Sequence, residues 1–247
     1  MNRILVGAVV AFAAFAFVLS SAAVGTSHGA AVQNGSSVAP GTCTQSLVNL
    51  GTAGHFRVLA GSTVTNTGLT VVHGDVGVSP GTAITGFPPG VVVGTIHAND
   101  TNATAAQKDL LTAYNAASLR TNCAVNITGN LGGSTLRPGL YVSTSSLSIS
   151  SANLTLDAHG HPNAVFVFVI ASTFTTSTGL GVTLAGGANA THIFWIVGSS
   201  ATLATSSSVS GTIIASASIT LTTGATLHGR ALALNGAVTL DTNQVRR

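Results

Sequence analysis

The sequence predicts a mainly β fold: a β-helix, or β-solenoid, with one long α-helix packed along one side. Three observations carry the prediction. A strand-like triplet recurs near the C-terminus, a single segment has helical periodicity, and charged residues make up only 5 % of the chain.

The repeat occupies Ala201 to Asn243. Ala-Thr-Leu stands at 201–203, Ile-Thr-Leu at 219–221 and Val-Thr-Leu at 238–240, which spaces Leu203, Leu221 and Leu240 almost evenly. Val209 and Leu227 keep the same offset as the first two leucines, and so do Gly211 and Gly229. Self-similarity at a period of about 20 residues with one short strand per repeat marks a solenoid, whose coils bury their apolar residues against one another. Successive side chains of a strand point to opposite faces. Each triplet therefore turns its aliphatic residues inward and its Thr outward.

From the N-terminus, Arg3 precedes an apolar run from Ile4 to Leu19 and then Ser-Ser-Ala-Ala. That is the layout of a secretory signal peptide over 1–23, with Ser21 and Ala23 suiting the positions before the cut. The protein is accordingly expected to be secreted, without a membrane span once the signal is removed. Residues 24–49, rich in Ala, Gly, Ser and Thr, read as a flexible lead, and 50–247 as the solenoid domain. Cys43 and Cys123, the two cysteines of an exported chain, suit one disulfide. Its loop would contribute about 4–5 kcal/mol in the chain-entropy picture.

From Leu50 to Ile96 short apolar segments alternate with Gly- and Pro-containing turns, the pattern of short strands. His97 to Arg120 departs from it. Ala103, Ala106, Leu110, Ala113, Tyr114 and Ala117 recur at intervals of three and four, so they share one helical face. Asn99, Asp100 or Thr101 can cap its start. Strands resume at Cys123. VFVFVI at 165–170 and IFWIV at 193–197 are apolar at consecutive positions, which requires cover on both faces. That side of the coils is the expected seat of the helix, and the Thr and Ser sides then face water.

Several blocks together resemble the secreted ice-binding, or antifreeze, protein family. They are FRVLAGSTVTNTG at 56–68, GDVGVSPGTAITGFPPG at 74–90, GNLGGSTLRPGLY at 129–141, LTLDAHGHPNAVFVFVI at 154–170, FWIVGSSATL at 194–203 and the repeats to 243. The resemblance implies an irregular right-handed β-helix with the helix alongside, the first strands lying beside the C-terminal coils. It also implies a ligand, the ice crystal surface, bound by a monomer to give thermal hysteresis and to inhibit ice recrystallisation. The family's Thr-(Ala/Gly)-X-(Thr/Asn) pattern occurs at Thr82–Thr85 and Thr223–Thr226.

The expected ice-binding residues are Thr202, Thr220 and Thr239 in one column, Ser208 and Thr226 in a second, Thr205, Thr223 and Thr242 at the bend between them, and Thr82 and Thr85. A hydroxyl can anchor water by hydrogen bonds, and a β-branched side chain is stiff at χ1. Strand spacing of about 4.7–4.9 Å gives a flat face a two-dimensional repeat. Thr is also a favourable residue on any β surface.

Composition narrows the alternatives. There are 34 Thr, no Glu and five Asp, and the five Asp are scattered. Asp157, His159 and His161 are the nearest acid–histidine group and read as a turn. An enzyme, a cofactor and a metal site are not expected. The formal charge of +3 comes without a basic stripe, which argues against nucleic acid. An adhesive or structural solenoid without ice activity is the other reading. With one Trp, inside IFWIV, and two Tyr, a carbohydrate platform finds little support.

Overall fold

The structure, a computed structural model, describes residues 43–247. The expected signal segment 1–23 and residues 24–42 of the lead lie outside the described residues.

The coils stack into a solenoid with three sides, built on a 12-stranded, an 8-stranded and a 3-stranded sheet. Neighbouring coils pair in parallel. One coil shows the plan. Ile193–Val197 lies on the first side, Ala201–Leu203 on the second, and the start of Ser208–Ala215 on the third. That last strand then bends at Gly211 to open the next coil. Gly211 has φ +118°, and a Cβ there would stand 2.8 Å from the Ile193 carbonyl oxygen. Only Gly tolerates the bend.

The two aromatic-rich runs explain the first side. Phe166, Phe168 and Ile170, then Ile193, Trp195 and Val197, point into the coil. Val165, Val167, Phe194 and Ile196 point out, into a second apolar layer beneath the helix. Inside, Tyr141 stacks on Phe168 at 5.2 Å, Phe168 on Trp195 at 4.1 Å, and Trp195 on Phe174 at 4.5 Å between ring centroids. Trp195 Nε1 donates to the Ser210 carbonyl at 3.0 Å, satisfying the one polar atom of the indole. Burial drives the Tyr141 hydroxyl up to about 12, and that hydroxyl donates to the Arg137 carbonyl.

Chain order and spatial order differ. From Ala124–Asn126 the chain climbs coil by coil to Gln244–Arg246. The segment from Phe56 then continues the stack: Val58 pairs with Ala231, Val64 with Val238, and Val72 with Val245. It ends at Ile96–Ala98, at the far end from Ala124. Nine strands span these ends on the first side, about 38 Å at the usual spacing. The helix, Thr101–Ser118, carries the chain back along about 27 Å of that distance.

The helix buries Ala103, Ala106, Leu110, Ala113 and Ala117, mostly small residues that bring its backbone close to the sheet. Leu59, Leu140, Val167, Ile196, Ile214 and Leu232 receive it. Asp100 caps its start, accepting from Ala103 N at 2.8 Å while His97 Nδ1 sits 2.6 Å from the other oxygen.

The last residues of the expected lead pack on the domain. Val48 is buried with Leu50 and Ala53 in the layer under the helix, and Arg120 donates to the carbonyls of Ser46 and Leu47. The physical reason is that the helix leaves apolar surface beside the coils, and Val48 and Leu50 cover it. Cys43 and Cys123 form a disulfide across a separation of 80 residues.

Candidate functional site

The second side of the solenoid is the 8-stranded sheet. Its strands are short, and in Leu147–Ile149, Ala201–Leu203 and Ile219–Leu221 the outer residues are buried while the middle one is partly exposed. Each strand therefore presents one side chain outward, and the register decides whether those side chains line up.

They do. Asn130 pairs with Ser148, Ser148 with Thr175, Thr175 with Thr202, Thr202 with Thr220, Thr220 with Thr239, Thr239 with Thr65, and Thr65 with Thr85. The result is an unbroken outward column on all eight strands, repeating about every 4.7–4.9 Å. Thr85 thus stands at the end of the column that holds Thr202, Thr220 and Thr239. Thr65, Thr175, Ser148 and Asn130 complete it and lie outside the set that the sequence singled out.

The hydroxyls of this column are largely uncommitted. Among the described residues, the one hydrogen bond that a column Thr or Ser side chain makes is Thr65 to Thr239, at 3.4 Å. Rows to either side behave differently. On one edge Thr173 donates to Ser146 at 2.8 Å, and Ser218 accepts from the Ala237 amide at 3.3 Å. On the other edge a corner row holds Thr205, Thr223, Asp241 and Thr67. Thr223 donates its hydroxyl to Asp241, and Thr205 and Thr222 share a contact of 3.4 Å. Asp241 is the single carboxylate on this side among the described residues, and its other oxygen accepts from Thr242 at 3.0 Å.

Thr242 corrects the expected bend row. It occupies the corner itself at φ +53°, stacked between Gly224 at +71° and Gly68 at +76°. Backbone bonds fix this stacking: Gly224 N donates to the Asp241 carbonyl, and Thr242 N to the Thr67 carbonyl. The coil from Leu221 to Leu240 is one residue longer than its predecessor on this side, yet Thr226 pairs with Gln244 at the ordinary offset. The chain therefore rounds the corner one residue sooner, and Asp241 takes the place that Thr223 holds below. Thr82 precedes Ala83–Thr85 with the inward parity of Ile84, so it is exposed outside the column.

Ser208 and Thr226 pair with each other on the third side. That row continues through Gln244 to Val71 and Val91. The neighbouring row begins Thr135, Thr155, Thr183 and then becomes His228 and Arg246. The third side is also broken, because its 3-stranded sheet meets the longer sheet through one isolated bridge, Gly181 to Ser208. Asp157 and His159 sit here in a turn, Nδ1 to Oδ2 at 3.3 Å.

Comparison with known proteins identifies the family. Residues 58–246 match the profile of the ice-binding-like family. An ice-binding protein of Nostoc sp. (strain HG1) is 52 % identical over 203 residues, covering 81 % of this chain and 74 % of the relative. One of Flavobacterium frigoris (strain PS1) is 36 % identical over 217 residues, covering 82 % and 77 %. Among solved structures, an ice-binding protein from an Antarctic biological consortium superposes with a TM-score of 0.82 at 52 % identity, over 85 % of this chain and 95 % of that one. One from the Antarctic ascomycete Antarctomyces psychrotrophicus gives 0.78 at 42 % identity, over 81 % and 98 %. With its solenoid, its flanking helix and a family match spanning both, the chain belongs to the ice-binding-like family.

Proposed function

We propose that this protein adsorbs to ice through the second side of the solenoid, with the column Ser148, Thr175, Thr202, Thr220, Thr239, Thr65 and Thr85 at its centre. The observation that supports this most is the alignment of uncommitted hydroxyls on a regular register. Ice presents a periodic array of oxygens without net charge. Matching it needs many weak contacts held at fixed spacing, so that little conformational freedom is lost on contact. Stiff Thr side chains on a stacked sheet meet that need: the methyl borders ordered water and the hydroxyl anchors it. The edge rows lock the backbone beneath them.

Adsorbed protein blocks the growth of ice between attachment points, giving thermal hysteresis and slowing recrystallisation. In this reading the protein is a secreted monomer, its ligand is the ice surface, and it has no catalytic role. No helix among the described residues is long and apolar enough to cross a membrane. The test is thermal hysteresis and ice recrystallisation inhibition on the purified protein. A concentration-dependent freezing-point gap with faceted crystals is expected. Unmodified round crystals at millimolar protein would return the fold to an adhesive or structural role.

A further inference from the structure

Four of the described arginines are gathered in one place, and the aspartates are engaged elsewhere. Of the seven Lys and Arg residues after position 42, Arg57, Arg230 and Arg247 line one cavity of about 120 Å³, together with His228 and Asn189. Arg246 adjoins them through its pairing with His228. All five acids are engaged away from it. Asp75 accepts from Thr95 N, Asp100 caps the helix, Asp109 accepts from Thr52 N and Oγ1, Asp157 serves its own turn, and Asp241 the corner Thr hydroxyls. Among the described residues, the ion pairs are His97 with Asp100 and His159 with Asp157, and neither includes an arginine.

The arginines are held in place by neutral groups. Arg230 Nε donates to the Gly54 carbonyl at 3.0 Å and Arg57 Nε to the His73 carbonyl at 3.2 Å. Burial, then the charges of Arg57 and Arg247, pull Arg230 down to about 10. Burial, then the charge of Arg246, also lowers His228 and favours its neutral ring. Like charges gathered in a partly desolvated cavity are unfavourable unless a counter-charge joins them. Guanidinium groups provide the planar, multiple donors that oxyanions accept from. Asn189 adds a neutral donor: its Oδ1 already accepts from Thr191 N and Oγ1, which leaves Nδ2 for the cavity.

We infer that the cavity lined by Arg57, Arg230 and Arg247 is a binding site for a tetrahedral oxyanion. It lies at the corner between the first and third sides, apart from the Thr column, so an anion held there would leave the ice face open. The test is a titration with sodium sulfate against sodium chloride at matched ionic strength, followed by the arginine Nε–H resonances. Saturable shifts of Arg57, Arg230 and Arg247 are expected, half complete on the order of 1 mM sulfate. Arg120 and Arg137, which lie outside the cavity, should stay still. Arg247→Gln, at the chain end, and Arg57→Gln should each weaken the response at least about tenfold, the factor that one lost charge-assisted contact commonly represents. Uniform, unsaturated drift of all the arginines would overturn the site. Sulfate binding that survives both substitutions unchanged would overturn it as well.

Discussion

The second and third sides of the solenoid are cut from the same coils, yet they carry opposite surfaces. Along the second side one register runs unbroken through eight strands, and every outward position from Ser148 to Thr85 is Ser or Thr. Along the third, Thr135, Thr155 and Thr183 start a similar row, but it turns into His228 and Arg246 and crosses a break bridged only at Gly181 and Ser208. Possessing Thr is therefore not what separates a candidate ice face from an ordinary β surface. Continuity of register, freedom of the hydroxyls and absence of charge separate them.

The contrast between the sides can be broken most severely from inside. Trp195→Ala removes the centre of the aromatic stack and the hydrogen bond to Ser210. The cost should be about 3–5 kcal/mol, seen as a fall of about 10 °C in Tm. Amide protection should drop on both sides together, because both rest on that stack. Calorimetry showing a shift under about 3 °C would refute the core assignment.

A smaller perturbation acts at the corner where the two sides meet. Gly68 lies at φ +76°, and a Cβ there would collide with Thr242 Oγ1. Gly68→Ala should cost about 1–2 kcal/mol through the left-handed backbone and that contact. Chemical denaturation would record it as a lower midpoint at unchanged slope. A midpoint equal to wild type would mean that the corner does not constrain the register.

The smallest effect concerns pH. The Ala103 amide, then His97, hold the Asp100 carboxyl below the ordinary carboxylate range. A carboxylate with a depressed pKa adds stability that is complete above its unfolded value, about 4, and is lost as pH falls through the folded value. Asp100→Asn should therefore lower Tm slightly at pH 7, and the difference should shrink as pH falls below about 4. Hysteresis should stay level from about pH 5 to 9, since the column presents hydroxyls and one amide, groups without a charge to gain or lose in that window. A hysteresis maximum tied to pH within this window would implicate the charged third side.

How much of this is legible in the sequence follows from coil length. Thr202, Thr220 and Thr239 are readable because their coils differ by a single residue and repeat one triplet. Ser148, Thr175 and Thr202 stand in longer coils that carry an additional strand on the third side, and no short-period comparison aligns them. Thr65 and Thr85 lie before the helix in sequence. They join the column only through the pairing of Thr65 with Thr239, which no local pattern reveals. Thr242 falls one place from its expected row because the offset between coils on the second side exceeds that on the third by one, and the corner between them absorbs the difference. The helix and its seat are legible, because apolar spacing of three and four and doubly apolar strands are local signals.

The most direct test sets one bulky substitution on each side. Thr220→Tyr stands at the middle of the column, and Thr226→Tyr stands past the corner on the third side. Both positions are partly exposed, so both variants should keep Tm within about 2 °C of wild type. Thermal hysteresis measured side by side should fall by most of its value in Thr220→Tyr and remain at the wild-type level in Thr226→Tyr. The reverse outcome, with Thr226→Tyr inactive and Thr220→Tyr active, would contradict the assignment of the ice face to the continuous column.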